Sequence, residues 1–204
     1  MEIESFLRSQ LAEPIKGMRS FKFYKFDSFV KNFGTTDLVK ICKTKKYRDL
    51  EAKGFVLGFM EKREYFGEGW GYHMGLDIFC KAGTPVYSVY DGRIVVANKY
   101  SNENFKKEMT AAEHPDQWGN RLVIEHNIEG KTFYSMYAHL KELSAKEGML
   151  VKKGQQIGEV GDEFCLENGG WPSHLHLQLS TEIIHQGYTA GKDKRLINPE
   201  KIFF

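Results

Sequence analysis

From residue 54 onward the chain is built of short apolar runs rich in Val, Ile, Tyr and Phe, at 54–60, 85–90, 93–98, 121–126, 132–139, 156–160 and 174–180. Their length and residue choice predict strands, and turn chemistry at Asp91-Gly92, Glu129-Gly130 and Gly154 separates them. Many short strands with close turns predict a mainly β domain, an antiparallel sandwich or partly open barrel. Ahead of it, Ile3, Phe6, Leu7 and Leu11 make a short helical pattern that stops before Pro14. Residues 15–53 are basic and aromatic, with Phe21, Phe23, Tyr24, Phe26, Phe29 and Phe33 closely spaced. That density predicts a strand or wrapping arm that buries its rings on the β domain. The expected division is an N-terminal helical and extended arm over 1–53 and a domain over 54–204.

Two segments break the strand rhythm. Residues 99–118 are a polar insert with helical character over 105–112, and residues 162–172 form a glycine-rich loop. Each reads either as the wall of a groove or as a solvated excursion.

Composition narrows the choice of function. The chain has 204 residues, of which 41% are hydrophobic and 14% aromatic, enough to bury a sizeable core. Its 29 basic and 27 acidic residues leave a formal net charge of +2, which gives no electrostatic reason to expect nucleic acid as a partner. No stretch approaches the ~18–20 apolar residues of a membrane span. Cys42, Cys80 and Cys165 are odd in number and lack metal-type spacing, so buried or free thiols are expected. Residues 1–10 lack the basic start and continuous apolar core of a secretory signal. That places the protein in the cytoplasm if Met1 is its natural start, and in the periplasm or outside the cell if a leader was trimmed.

Three motifs carry chemistry. In His174-Leu175-His176-Leu177-Gln178-Leu179-Ser180 alternation is strict, so both histidines share one strand face while the leucines enter the core. Two imidazoles so placed can point at one centre, and neutral imidazole suits zinc. His73 and Asp77 lie four apart in Tyr72-His73-Met74-Gly75-Leu76-Asp77-Ile78, on one side of the predicted strand, with Gly75 between them. Two histidines and a carboxylate match a catalytic zinc with an open fourth position. His139 ends the predicted strand of Tyr134-Ser135-Met136-Tyr137-Ala138-His139-Leu140, where a histidine can carry protons for hydrolysis. His114, His126 and His185 have no such context and read as structural or exposed.

The order of these motifs resembles the lysostaphin-type zinc endopeptidases, a family that includes the β-lytic metallopeptidases. The text between them is similar too: Ala82-Gly83-Thr84-Pro85-Val86, Asp91-Gly92, Trp118-Gly119-Asn120 and Val151-Lys152-Lys153-Gly154-Gln155-Gln156-Ile157-Gly158, within a match over residues 65–180. The resemblance implies a β domain whose groove holds one Zn2+ on His73, Asp77 and His176. It makes His139 and His174 the catalytic groups and leaves open which is the general base. It further implies a metalloendopeptidase that cleaves peptide bonds in bacterial peptidoglycan, in cross-links or stem peptides. The sequences at 56–65 and 167–176 look like a branch in which such domains are joined to kinase-like or aminotransferase modules. The alternatives are an intracellular zinc peptidase or amidase with a soluble substrate, and a binding module of the same fold without hydrolysis.

Overall fold

The computed structural model describes residues 3–35, 38–64, 70–100, 117–185 and 188–204. The N-terminal part is more helical than expected. It holds α1 (Ile3–Arg8), a 3-10 turn at Met18–Ser20, β1 (Lys22–Tyr24), α2 (Phe26–Lys31), α3 (Leu38–Cys42) and α4 (Lys45–Glu51). The reason is legible in α2, where Phe26, Phe29 and Val30 recur at helical spacing and are all buried. In α4 the Thr44 side chain accepts the backbone N–H of Tyr47, a cap that satisfies one donor of the first turn.

Strands follow: β2 (Phe55–Leu57), β3 (Lys62–Glu64), β4 (Trp70–His73), β5 (Leu76–Phe79), β6 (Pro85–Tyr87), β7 (Gly92–Asn98), β8 (Asn120–Ile128) and β9 (Lys131–Leu143). After them come β10 (Leu150–Val151), β11 (Gln156–Val160), β12 (His174–Ser180), β13 (Tyr188–Thr189), β14 (Leu196–Ile197) and a closing helix, α5 (Pro199–Phe203). Eleven strands form one sheet, with the path β1-β2-β5-β12-β9-β8-β7-β10 and with β6, β11 and β14 attached beside it. A second sheet pairs β13, β4 and β3. The fold is mainly β, and among the described residues no barrel closes.

The expectation of a purely antiparallel sheet needs one correction, because β1 and β2 pair in parallel. Parallel neighbours need a long crossover, and helices α2, α3 and α4 supply it. Elsewhere the pairing is antiparallel, as at the β8–β9 hairpin, where Ile128 faces Lys131 across Glu129 and Gly130. Both turn residues have positive φ, 51° and 79°, the signature of a tight hairpin turn with strand-matched twist. The insert expected to be helical over 105–112 lies outside the described residues.

The core has two clusters. In the larger, Leu7, Leu11, Ile15 and Met18 of the N-terminal part pack with sheet residues such as Leu76, Leu122, Tyr137 and Leu177. In the smaller, Phe26, Phe29, Tyr47, Phe55 and Phe79 share one aromatic body. At the centre of the sheet β12 is buried along its whole length. Leu175, Leu177 and Leu179 fill one side, and the alternating polar residues face the other.

Candidate metal centre and active site

Sheet register lines up the site. Asp77 on β5 lies opposite His176 on β12, and His176 lies opposite Ala138 on β9. Directly paired residues project to the same face, so the three side chains share one side of the sheet. His73 arrives from elsewhere. It ends β4, in the three-stranded sheet, whereas Asp77 belongs to β5. The two are therefore not on one continuous strand, as their spacing had suggested. The chain changes sheet at Met74 and Gly75 and brings the His73 ring back over Asp77.

Gly75 makes that return possible. A Cβ there would lie 2.6 Å from His176 Nε2 and 2.6 Å from the carbonyl oxygen of Leu177. The His176 ring occupies the room that any other residue's side chain would need.

His139 reaches the site through a β-bulge. On β8 two steps separate Asn120 from Leu122, while their partners Leu140 and Tyr137 on β9 are three steps apart. One extra residue lets Ala138 and His139 both face the site while Tyr137 and Leu140 both stay in the core. His139 adopts φ 65°, a left-handed conformation that is uncommon outside glycine. Strand β9 thus does not end at His139 but continues through the bulge to Leu143.

Five side chains converge there, and all are buried: His73, Asp77, His139, His174 and His176. His73 Nε2 is 3.0 Å from His176 Nδ1 and 3.2 Å from Asp77 Oδ1, and His176 Nδ1 is 3.0 Å from the same oxygen. One donor atom from each of the three lies within 4.8 Å of the others. His174 Nε2 stands 3.7 Å from Asp77 Oδ1, and the His139 and His174 rings are 4.3 Å apart between centroids.

Backbone carbonyls settle which nitrogens carry protons. His73 Nδ1 donates to Gly58 O at 3.3 Å, His139 Nδ1 to Asn168 O at 2.9 Å and His174 Nδ1 to Pro172 O at 2.7 Å. Each neutral ring is left with its Nε2 lone pair available. Burial drives the same state: it pushes His73 down to about 4, His139 well below 6.5 and His174 down as well. Burial also works to raise the Asp77 carboxyl. The neighbouring His73 ring, the Arg63 guanidinium and a hydrogen bond from His176 outweigh it and hold Asp77 well below 3.8.

The donor set fits zinc. Two imidazole nitrogens and a carboxylate oxygen turn toward one point, which is the ligand chemistry of a catalytic zinc with an open position. His176 Nε2, on the far side of its ring, is buried with no hydrogen-bond partner. That ring is placed by the space Gly75 leaves and by what its Nδ1 faces.

Several contributors carried no signal in the sequence. Arg63 is buried on β3, and its guanidinium pairs with Asp77 Oδ2. Asn168 is buried in the 162–172 loop, where its side-chain amide bonds the carbonyls of Trp171 and Pro172. Hence this loop, read beforehand as groove wall or solvated excursion, supplies the carbonyls that orient both His139 and His174. Trp118 packs on His139 and His176, with centroids 5.9 and 5.0 Å away, and Trp171 stands 6.1 Å from His139. His126 sits away from the site, buried and bonded to Ser135, while His185 is exposed and His114 lies outside the described residues.

The chain is similar to several known proteins. The chain is 35% identical over 136 residues to the peptidoglycan DD-endopeptidase ShyB of Vibrio cholerae, covering 66% of this chain and 26% of that protein. It is 33% identical over 107 residues to ShyA of the same organism, covering 52% and 20%. The chain thus spans about a quarter or less of the length of these relatives. Among solved structures, the catalytic domain of the antimicrobial peptidase lysostaphin from Staphylococcus simulans matches with a TM-score of 0.49 at 25% identity, covering 72% of this chain and 88% of that one. The model of peptidase family M23 matches residues 71–190, a stretch that holds His73, Asp77, His139, His174 and His176 together, and the chain belongs to that family.

Proposed function

We propose that the protein is a zinc-dependent endopeptidase that hydrolyses peptide bonds of bacterial peptidoglycan, in cross-links or stem peptides. One observation carries the reading: His73 Nε2, Asp77 Oδ1 and His176 Nδ1 converge beside two further buried imidazoles whose Nδ1 protons are already committed. His73, Asp77 and His176 would hold the metal. When bound, zinc supplies Lewis acidity, which acidifies water and polarises a peptide carbonyl. His139 and His174 offer Nε2 as proton acceptors, kept neutral by burial, so that one of the two takes the water proton as general base and returns it to the leaving amine. The Asn168 and Pro172 carbonyls stabilise either ring when it becomes charged, since Nδ1–H is already donating to them. Trp118 and Trp171 wall the space around these rings.

The substrate assignment is supported by the relatives named above, which are peptidoglycan DD-endopeptidases. The test is mass spectrometry of defined peptidoglycan fragments after incubation with the protein. New amine and carboxylate ends are expected at a peptide bond, lost with a chelator, restored by zinc and absent with Asp77→Ala. Intact fragments in the presence of a zinc-loaded, folded protein would overturn the substrate, and cleavage that survives chelation would overturn the metal.

A further inference from the structure

Arg63 is 4% exposed, and its guanidinium sits directly behind the metal-binding residues. Its Nη1 pairs with Asp77 Oδ2, and its Nη2 donates to Gly58 O at 3.1 Å. The same Gly58 carbonyl accepts His73 Nδ1–H. One guanidinium thus holds a carboxylate oxygen and the carbonyl that orients an imidazole. Asp77 Oδ1 is the oxygen turned toward His73 and His176.

The surroundings fix Arg63 in turn. The Phe26 ring of α2 lies 5.0 Å from its guanidinium carbon, and the Glu61 carboxylate is 3.6 Å from Nη2. Glu61 also accepts the backbone N–H of Phe26, while its own carbonyl accepts that of His73. Glu61 offsets part of the cation's charge, and its other oxygen pairs with Lys25 at 3.7 Å.

We propose that Arg63 is a positioning residue. By occupying Asp77 Oδ2 it leaves only Oδ1 for the metal, and through Gly58 it holds His73 with Nε2 facing the same point. A carboxylate has two oxygens able to bind one cation, and a second metal–oxygen contact would fill the position that the reaction needs open. Arginine suits the task because its rigid planar fork spans two acceptors, whereas lysine offers one mobile point charge.

The inference rests on the zinc reading, and cobalt(II) tests it independently of turnover. A four-coordinate cobalt site absorbs strongly in the visible, and added oxygen ligands weaken those bands. The parent protein is expected to show intense bands. Arg63→Met, checked for folding by its metal-free melting curve, is expected to lose them and to bind zinc ~10- to 100-fold more weakly in chelator competition. If Arg63→Met does not fold, Arg63→Lys carries the same test, since it keeps the charge but cannot reach both acceptors. Loss of the bands or a tenfold loss of affinity in a folded variant supports the proposal. A folded variant with parental bands and parental affinity overturns it, even if it melts earlier. A parent that binds neither metal would instead overturn the zinc reading itself.

Discussion

The ring of Phe79 lies nearly flat against that of His174, with centroids 4.9 Å apart and planes 16° from parallel. Phe79 in turn stacks on Phe55 at 4.6 Å, and Phe55 on Phe29 of α2 at 5.1 Å. A continuous pile of rings therefore runs from the N-terminal helices to one of the proposed proton carriers. Such contacts add to the burial of large apolar area.

The N-terminal part should accordingly behave as structure and not as a removable cover. Deleting residues 1–53 strips one side from both hydrophobic clusters, and the fragment is expected to aggregate or melt well below the parent. Phe55→Ala alone should cost about 3–5 kcal/mol, as for other buried large-to-small changes, measured by denaturant unfolding. A soluble deletion fragment of raised activity would show instead that the arm restrains the enzyme.

Gly75→Ala should act out of proportion to its one added carbon. The new methyl group must displace either the His176 ring or the Leu177 backbone, because both stand 2.6 Å from it. A destabilisation of about 1–3 kcal/mol is expected, with zinc affinity falling in chelator competition. Parental zinc binding in this variant would mean that the His176 ring has another place to go.

Substitutions within the site should divide into two groups. His73→Ala, Asp77→Ala and His176→Ala are expected to lose stoichiometric zinc. His139→Ala and His174→Ala should keep it and lose at least ~10²-fold in turnover. Metal analysis beside steady-state rates separates the groups, and a His139 or His174 variant without metal would move that residue into the ligand set.

The backbone at residue 139 allows a separate check. Because φ is 65° there, His139→Gly should be roughly 1 kcal/mol more stable than His139→Ala, although both lack the imidazole. Equal unfolding midpoints for the two would show that the left-handed conformation relaxes once the ring is gone.

His126 supplies a pH effect that does not involve the metal. Burial pushes it down to about 4 from 6.5, with its Nδ1 facing Asp91 O and its Nε2 facing Ser135 Oγ. The folded state favours the neutral ring, so its contribution is fully present above pH 6.5. It is lost as the pH falls toward 4, where the unfolded chain binds the proton first. The 2.5-unit gap corresponds to about 3 kcal/mol. Stability should fall over that window, and less steeply in His126→Asn. An NMR titration of the ring with its midpoint near 6.5 in the folded protein would contradict this.

Much of the sheet could be read from alternation. The runs at 156–160 and 174–180 coincide with β11 and β12, because a strand with one apolar and one polar face leaves a period-two trace. The arm was harder. Its closely spaced rings do not foretell helix, since clustered aromatics satisfy either period until the packing partner is known. His73 and Asp77 are read together for their spacing, yet the spacing cannot show a change of sheet at Met74 and Gly75. Arg63 and Asn168 left no trace, because a lone arginine or asparagine looks like surface until the fold buries it. The bulge at Ala138 and His139 is equally silent, being a matter of register against β8 and not of residue type.

That bulge also changes what holds the chain at residue 139. Its N–H donates to Trp118 O at 3.0 Å and its carbonyl accepts from Gly161 N at 2.9 Å, so segments on either side of the site are fastened to a single residue. The tether is reinforced farther out, where Asn120 N donates to Glu167 O at 2.7 Å. The two walls are therefore mechanically one piece. An occupant that pushes Trp118 outward strains the 161–172 segment as well, and the force between them passes through the backbone that carries the His139 imidazole.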